Sequence, residues 1–113
     1  MFGIIQNKRG GKNIKSQNIK IMQKTSKQLE RHFKGVANHH RIDILLLIKS
    51  NRGITLDKIS RKLRCNIKTI SEHTRRLVQA GLVNKKYFGN SVKHSLTPYG
   101  EKFFDFIKLF SNS

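Results

Sequence analysis

Residues 55–83 read TLDKISRKLRCNIKTISEHTRRLVQAGLV, and this stretch decides the fold. Thr55 is suited to an N-cap, and Leu56, Ile59 and Leu63 follow it at helical spacing, which predicts a short helix. Arg64-Cys65-Asn66 breaks the period. Asn66 then caps a second helix whose inward stripe is Ile67, Ile70, Thr74 and Leu77. Ala80-Gly81 ends it, because glycine takes the left-handed C-terminal position without a Cβ penalty. Two helices joined by so short a turn form a helix-turn-helix unit.

Working outward, Leu82 to Phe88 and Ser91 to Leu96 are strand-like and flank Gly89-Asn90, a pair suited to a two-residue hairpin turn. Lys85, Lys86, Lys93 and His94 decorate this hairpin. Thr97-Pro98 starts a last helix with Tyr99, Phe103, Phe106, Ile107 and Phe110 on its apolar stripe, and Phe104 and Leu109 beyond it. Towards the N-terminus, Asn38 caps a helix from His39 to Ser50. Ile42, Leu45, Leu46 and Ile48 mark its stripe, and Ile44 and Leu47 carry the apolar surface almost all round, so this helix belongs at the centre. Before it, Leu29, Phe33 and Val36 stripe a helix that begins near Lys27. The expected class is mainly α with a small β-hairpin (α+β): a winged helix-turn-helix with a three-helical core, a wing, and additional N- and C-terminal helices.

Charge narrows the partner. The 113 residues hold 24 Lys+Arg against 6 Asp+Glu, a net +18 with a pI near 10.8. Such self-repulsion opposes folding and calls for a polyanion. Six of the basic residues and no acid fall within residues 1–26, which read as a basic, flexible arm; residues 27–113, the winged domain, keep +12 of the charge. With 36% apolar content the chain supports one modest core. Cys65 is the single cysteine, so no internal disulfide forms. The longest apolar run, Ile44 to Ile48, is far short of the ~20 residues of a membrane span. A soluble, cytoplasmic, nucleoid-associated protein with no membrane partner is expected.

A groove-reading helix buries one face and shows the other to base edges. At 100° per residue, Lys68, Glu72 and Arg75 point away from the stripe, with Thr69 and Arg76 flanking. Lys68 and Arg75 can donate to guanine, Glu72 can accept from cytosine, and Thr69 and Ser71 can reach a phosphate or base edge. These five and Arg76 are the base-reading candidates. Glu72 also stands at the spacing for helix pairs with Arg75 and Arg76. Lys58, Arg61, Lys62 and Arg64, with Lys85, Lys86 and Lys93 of the wing, are candidates for the sugar–phosphate backbone, which positions without reading sequence. Tyr87 and Phe88, near the tip, are expected to pack under the wing or else to meet the DNA.

The stretch Ala37 to Ile48 is similar to the opening of the ArsR-type repressor core. Residues 69–83 resemble that family's recognition-helix signature at Thr69, Ser71, His73, Leu77, Ala80, Gly81, Leu82 and Val83. Ser95-Leu96-Thr97-Pro98-Tyr99-Gly100 is similar to the wing exit of MarR-like proteins. The resemblance covers about residues 29–110. It implies a dimeric repressor of double-stranded DNA acting by promoter occupancy, with Leu29, Phe33, Val36, Phe103, Phe106, Ile107 and Phe110 in the dimer interface. The sequence departs from the family's metal sensors. The helix at 56–63 has no thiol, and the last helix offers only Glu101 and Asp105, with His94 before it. One thiolate or one isolated His cannot complete a zinc site, so no metal and no cofactor is expected. Thr74 stands where the family usually has leucine.

Two other classes remain open on the sequence: an RNA- or ribosome-associated winged helix, and a non-specific architectural DNA protein. A protein-binding module would show a more neutral recognition face. No enzyme is expected, since paired carboxylates, a nucleophile–base set and a glycine-rich phosphate loop are all missing from the sequence. Ser71 and His73 diverge on their helix and make no dyad.

Overall fold

The computed structural model of the chain describes residues 24–112. The expected basic arm, residues 1–26, lies up to residue 23 outside the described residues. By compactness the chain divides after Glu30. In the first unit Thr25 and Gln28 cap one another: Gln28 N donates to Thr25 Oγ1 at 3.2 Å, and Thr25 N donates to Gln28 Oε1 at 2.9 Å. This reciprocal capping sets the start of α1 (Ser26–Val36), one residue ahead of the predicted start.

The second unit holds the rest of the fold. Asn38 opens α2 (His39–Ser50) by accepting from His40 N and Arg41 N, as its sequence position predicts. Thr55 caps α3 (Leu56–Leu63) through Lys58 N. In the turn that follows, Arg64 takes the left-handed region at φ 55°, Cys65 N donates to Ser60 O, and Ser60 Oγ donates to Cys65 O. Asn66 then caps α4 (Ile67–Gln79), and Gly81 leaves it at φ 78°. Strands β1 (Val83–Phe88) and β2 (Ser91–Leu96) pair antiparallel from Val83↔Leu96 to Phe88↔Ser91, closed by Gly89-Asn90 with Gly89 at φ 60°. Leu82, expected to open the strand, lies before it and is buried. Thr97 caps α5 (Pro98–Ser111) and also donates its hydroxyl to Gly81 O at 2.6 Å, tying the wing exit to the end of α4.

The core is built from Ile44, Leu45 and Ile48 of α2, Ile59 of α3, Ile70 and Leu77 of α4, and Leu82, Val83 and Leu96 of the wing base. Three expectations need correction. Ile44, assigned to the flank of α2, is fully buried, whereas Ile42 and Leu46 are only half-buried. Ile67 is 46% exposed, because the first residue of α4 stands clear of the helices that cover Ile70. Phe104, placed beyond the stripe of α5, packs on the core, while Phe106 and Phe110 stay exposed. Thr74 is buried, and its hydroxyl has no hydrogen-bond partner among the described residues.

Two glycines permit close backbone approach. A Cβ on Gly35 would strike the Ala80 Cβ, and one on Gly100 would strike the Leu82 carbonyl. The loop before α3 is pinned to the wing: Gly53 N donates to His94 O at 2.7 Å, and His94 N donates to Ile54 O at 3.0 Å. The wing is therefore held to the helical body by backbone bonds at its base.

Candidate nucleic-acid interface

Helix α4 has the two faces its sequence predicts. Ile70, Thr74 and Leu77 are buried, and Lys68, Thr69, Ser71, Glu72, Arg75 and Arg76 are all exposed. Glu72 is engaged on both sides. Arg75 Nη2 donates to its Oε1 and Oε2 at 2.9 and 2.7 Å, and Arg76 Nε donates to Oε2 at 3.1 Å. Hydrogen bonds from Arg75 and then Arg76 hold the Glu72 carboxyl below its ordinary pKa. The one acid on this face is thus matched by two guanidinium groups, which it also orients.

Lys58, Arg61, Lys62 and Arg64 are exposed around α3. Arg61 pairs with Asp57 at 2.8 Å, one helical turn back. Lys58 and Lys62 face a surface cleft of about 450 Å³ that the pinned loop and the wing complete with Arg52, Thr55 and Lys93. The structure therefore joins Lys93 of the wing to α3, a grouping that separation in sequence conceals. Arg52 also belongs to this group. Lys85 and Lys86 are exposed on β1. Tyr87 and Phe88 are 71% and 56% exposed rather than packed under the wing, because β1 is exposed from Asn84 to Phe88 on a two-stranded ribbon. Lys93 Nζ lies 5.7 Å from the Phe88 ring centroid.

Histidines hold positions the sequence did not disclose. His94, expected on the wing surface, is fully buried, and its Nδ1–H donates to Ile54 O at 2.9 Å. Burial pushes its pKa down. His32 is 3% exposed and donates from Nδ1 to Ala80 O at 2.6 Å, clamping α1 to the end of α4. His40 stacks on His73 with centroids 5.1 Å apart, and Cys65 Sγ lies 3.9 Å from His40 Nδ1. Burial, then Arg41 and His40, lower the His73 pKa. The one signal for His32 is its helical spacing to Val36, which places it on the inward face. Among the described residues no group of three or more His, Cys, Asp or Glu could hold a metal ion, and no helix is long and apolar enough to cross a membrane.

Away from α4 lies an apolar face. Phe33 meets Phe103 edge-on at 5.2 Å, and Phe106 stacks near Phe110 at 5.7 Å. Together with Ile42 and Ile107 they line a groove of about 490 Å³. Phe33, Phe106 and Phe110 are 52%, 50% and 69% exposed. Val36 belongs instead chiefly to the core at 8%, and Phe103 and Ile107 are half-buried against it. Leu29 stands in the first unit.

Comparison with known proteins agrees with this geometry. The profile of the MarR family matches residues 38–87, from the α2 cap to the wing tip. No curated protein sequence matches the chain. Among solved structures, HlyU from Vibrio cholerae is 22% identical and superposes with a TM-score of 0.71 over 81% of this chain and 100% of its own. A homodimeric winged helix-turn-helix DNA-binding domain from Mycobacterium bovis is 20% identical with a TM-score of 0.69, covering 99% of this chain and 91% of its own. The transcriptional repressor PagR of Bacillus anthracis is 16% identical with a TM-score of 0.65, covering 72% and 93%. The chain has the winged helix-turn-helix fold, of the form shared by ArsR-like and MarR-like proteins.

Proposed function

We propose that this chain is a sequence-specific double-stranded DNA-binding transcription regulator, acting as a homodimeric repressor by promoter occupancy. The observation that carries the reading is the outward face of α4. It presents Lys68, Thr69, Ser71, Glu72, Arg75 and Arg76 to solvent on a helix anchored by three buried side chains. A major groove admits such a helix, and these side chains have the donors and acceptors to read base edges. Lys58, Lys62, Arg64 and the wing cations Lys85, Lys86 and Lys93 flank it as backbone contacts, with Arg52 added from the pinned loop. Arg61 joins them on leaving Asp57. The basic arm, residues 1–26, adds charge that follows the backbone.

Solved proteins of this fold named as a repressor and as a homodimeric DNA-binding domain support the reading. The apolar groove supports dimerisation, since exposed patches of this kind usually mark an interface. Two-fold symmetry would then require a pseudo-palindromic site with half-sites about one DNA turn apart.

The test is Lys68→Ala with Arg75→Ala. Specific affinity for the protein's own upstream DNA should fall to the level of a scrambled duplex, with circular dichroism unchanged. Unchanged affinity with an intact fold would place the reading face elsewhere. The RNA-associated reading gains one observation, the exposed Tyr87 and Phe88, because RNA readers stack bases on such rings. It is separated by the same titration against a matched RNA.

A further inference from the structure

A second cationic cleft lies at the junction of α1, α2 and the C-terminal end of α4. Arg31 and Lys34 of α1, Arg41 of α2, and Arg76 and Gln79 of α4 line about 270 Å³, over a floor made by Gly35 and Ala80. No carboxylate lines it. Four cations converging on so small a volume repel one another, and a +18 chain does not need them there for solubility. The floor is close-packed, because Gly35 lets α1 settle on Ala80 and the His32–Ala80 hydrogen bond clamps the same contact. The cleft is therefore a fixed feature of the second unit.

Arg41 Nε is buried and has no hydrogen-bond partner among the described residues. A buried N–H without a partner is costly, and Arg41 lines the cleft, so an anion held there would offset its charge. Arg76 gives Nε to Glu72. Its guanidinium still has further donors for the cleft. Guanidinium forks match the oxygens of a phosphoryl group in paired hydrogen bonds, and three of them with a lysine fit a group carrying more than one negative charge. The volume corresponds to roughly nine waters at ~30 Å³ each, enough for an anion the size of pyrophosphate.

We propose that this cleft is a phosphoryl-binding site, in which Arg31, Arg41 and Arg76 grip a multiply charged phosphate. The inference does not depend on the reading of α4 as a base-reading helix. The phosphate has two possible sources, a free phosphorylated ligand or the DNA backbone. Because Arg76 is shared with Glu72, occupancy of the cleft draws that guanidinium away from the recognition face.

The full chain is titrated with inorganic pyrophosphate by calorimetry, with sodium chloride adjusted to constant ionic strength. Saturable binding is expected. It should weaken at least about tenfold in Arg31→Gln/Arg41→Gln and stay unchanged in Lys102→Gln/Lys108→Gln, which removes the same charge from exposed positions of α5. Circular dichroism follows the fold. Should the first pair melt early, Arg31→Gln/Lys34→Gln, confined to exposed positions of α1, takes its place. Non-saturable binding, or equal loss in the Lys102/Lys108 pair, overturns the site. The salt slope for a random duplex then separates the sources. A slope reduced by about one or two in the Arg31/Arg41 variant identifies a DNA phosphate, since each contact contributes about 0.9. An unchanged slope with lost pyrophosphate binding identifies a free ligand. If pyrophosphate binding and slope both survive the substitutions, the proposal is wrong.

Discussion

At the scale of single residues, the decisive groups are those that sequence spacing describes ambiguously. By spacing alone Glu72 admits two roles, a base contact or a helix pair, and the structure pairs it with Arg75 and Arg76. The pair does not remove it from recognition, because a paired carboxylate fixes where the guanidinium forks point. Glu72→Gln frees both arginines and adds positive charge. Affinity for a scrambled duplex should rise, while preference for the specific site should fall on the order of tenfold, read by anisotropy. A rise in both affinities by the same factor would reduce Glu72 to a charge brake. His94 gives a prediction on stability. Its folded pKa is depressed by burial, so the unfolded chain, at about 6.5, takes up the proton first. This contribution to stability is intact above pH 6.5 and is lost as the pH falls below it. His94→Asn keeps a donor for Ile54 O but cannot titrate, so its melting temperature should decline less between pH 7 and 5 than that of the native protein. Parallel decline would remove His94 as the cause.

At the scale of elements, most of the fold is legible in the sequence. Asn38, Thr55, Asn66 and Thr97 each cap the helix their positions predict, because a short polar side chain before an apolar period has a local hydrogen bond to make. The Gly89-Asn90 turn is local in the same way. What is not legible depends on contacts between distant segments. His94 looks like a wing surface residue until the loop at Gly53 and Ile54 bridges to it. Ile67 looks inward by period, but the helix end leaves it uncovered. Lys93 joins α3 only through the same bridge. Gly35 shows how an element's packing rests on one missing atom. Gly35→Ala inserts a methyl group against Ala80 and should destabilise by about 1–3 kcal/mol despite its better helix propensity. Chemical denaturation checks this, and a neutral or stabilising result would mean that α1 shifts freely over α4.

At the scale of the whole molecule, charge and apolar surface divide the labour. Cations line α3, α4 and the wing and a second cleft at α1 and α2, while Phe33, Phe106 and Phe110 stand uncovered on α1 and α5. Phe106→Glu with Phe110→Glu touches neither the core nor α4, since both rings are at least half exposed. These substitutions should yield a folded monomer by analytical ultracentrifugation, with weakened binding to a two-half-site duplex and little change for a single half-site. A variant that remains dimeric would move the interface elsewhere. The central claim is that α4 reads DNA sequence. It is tested most directly by anisotropy of the full chain against its own upstream duplex, a scrambled duplex and a matched RNA over a range of salt. A reading helix predicts a preference of roughly 10³ or more for the upstream duplex. Equal, steeply salt-dependent binding to both duplexes, or tighter binding to the RNA, would contradict it.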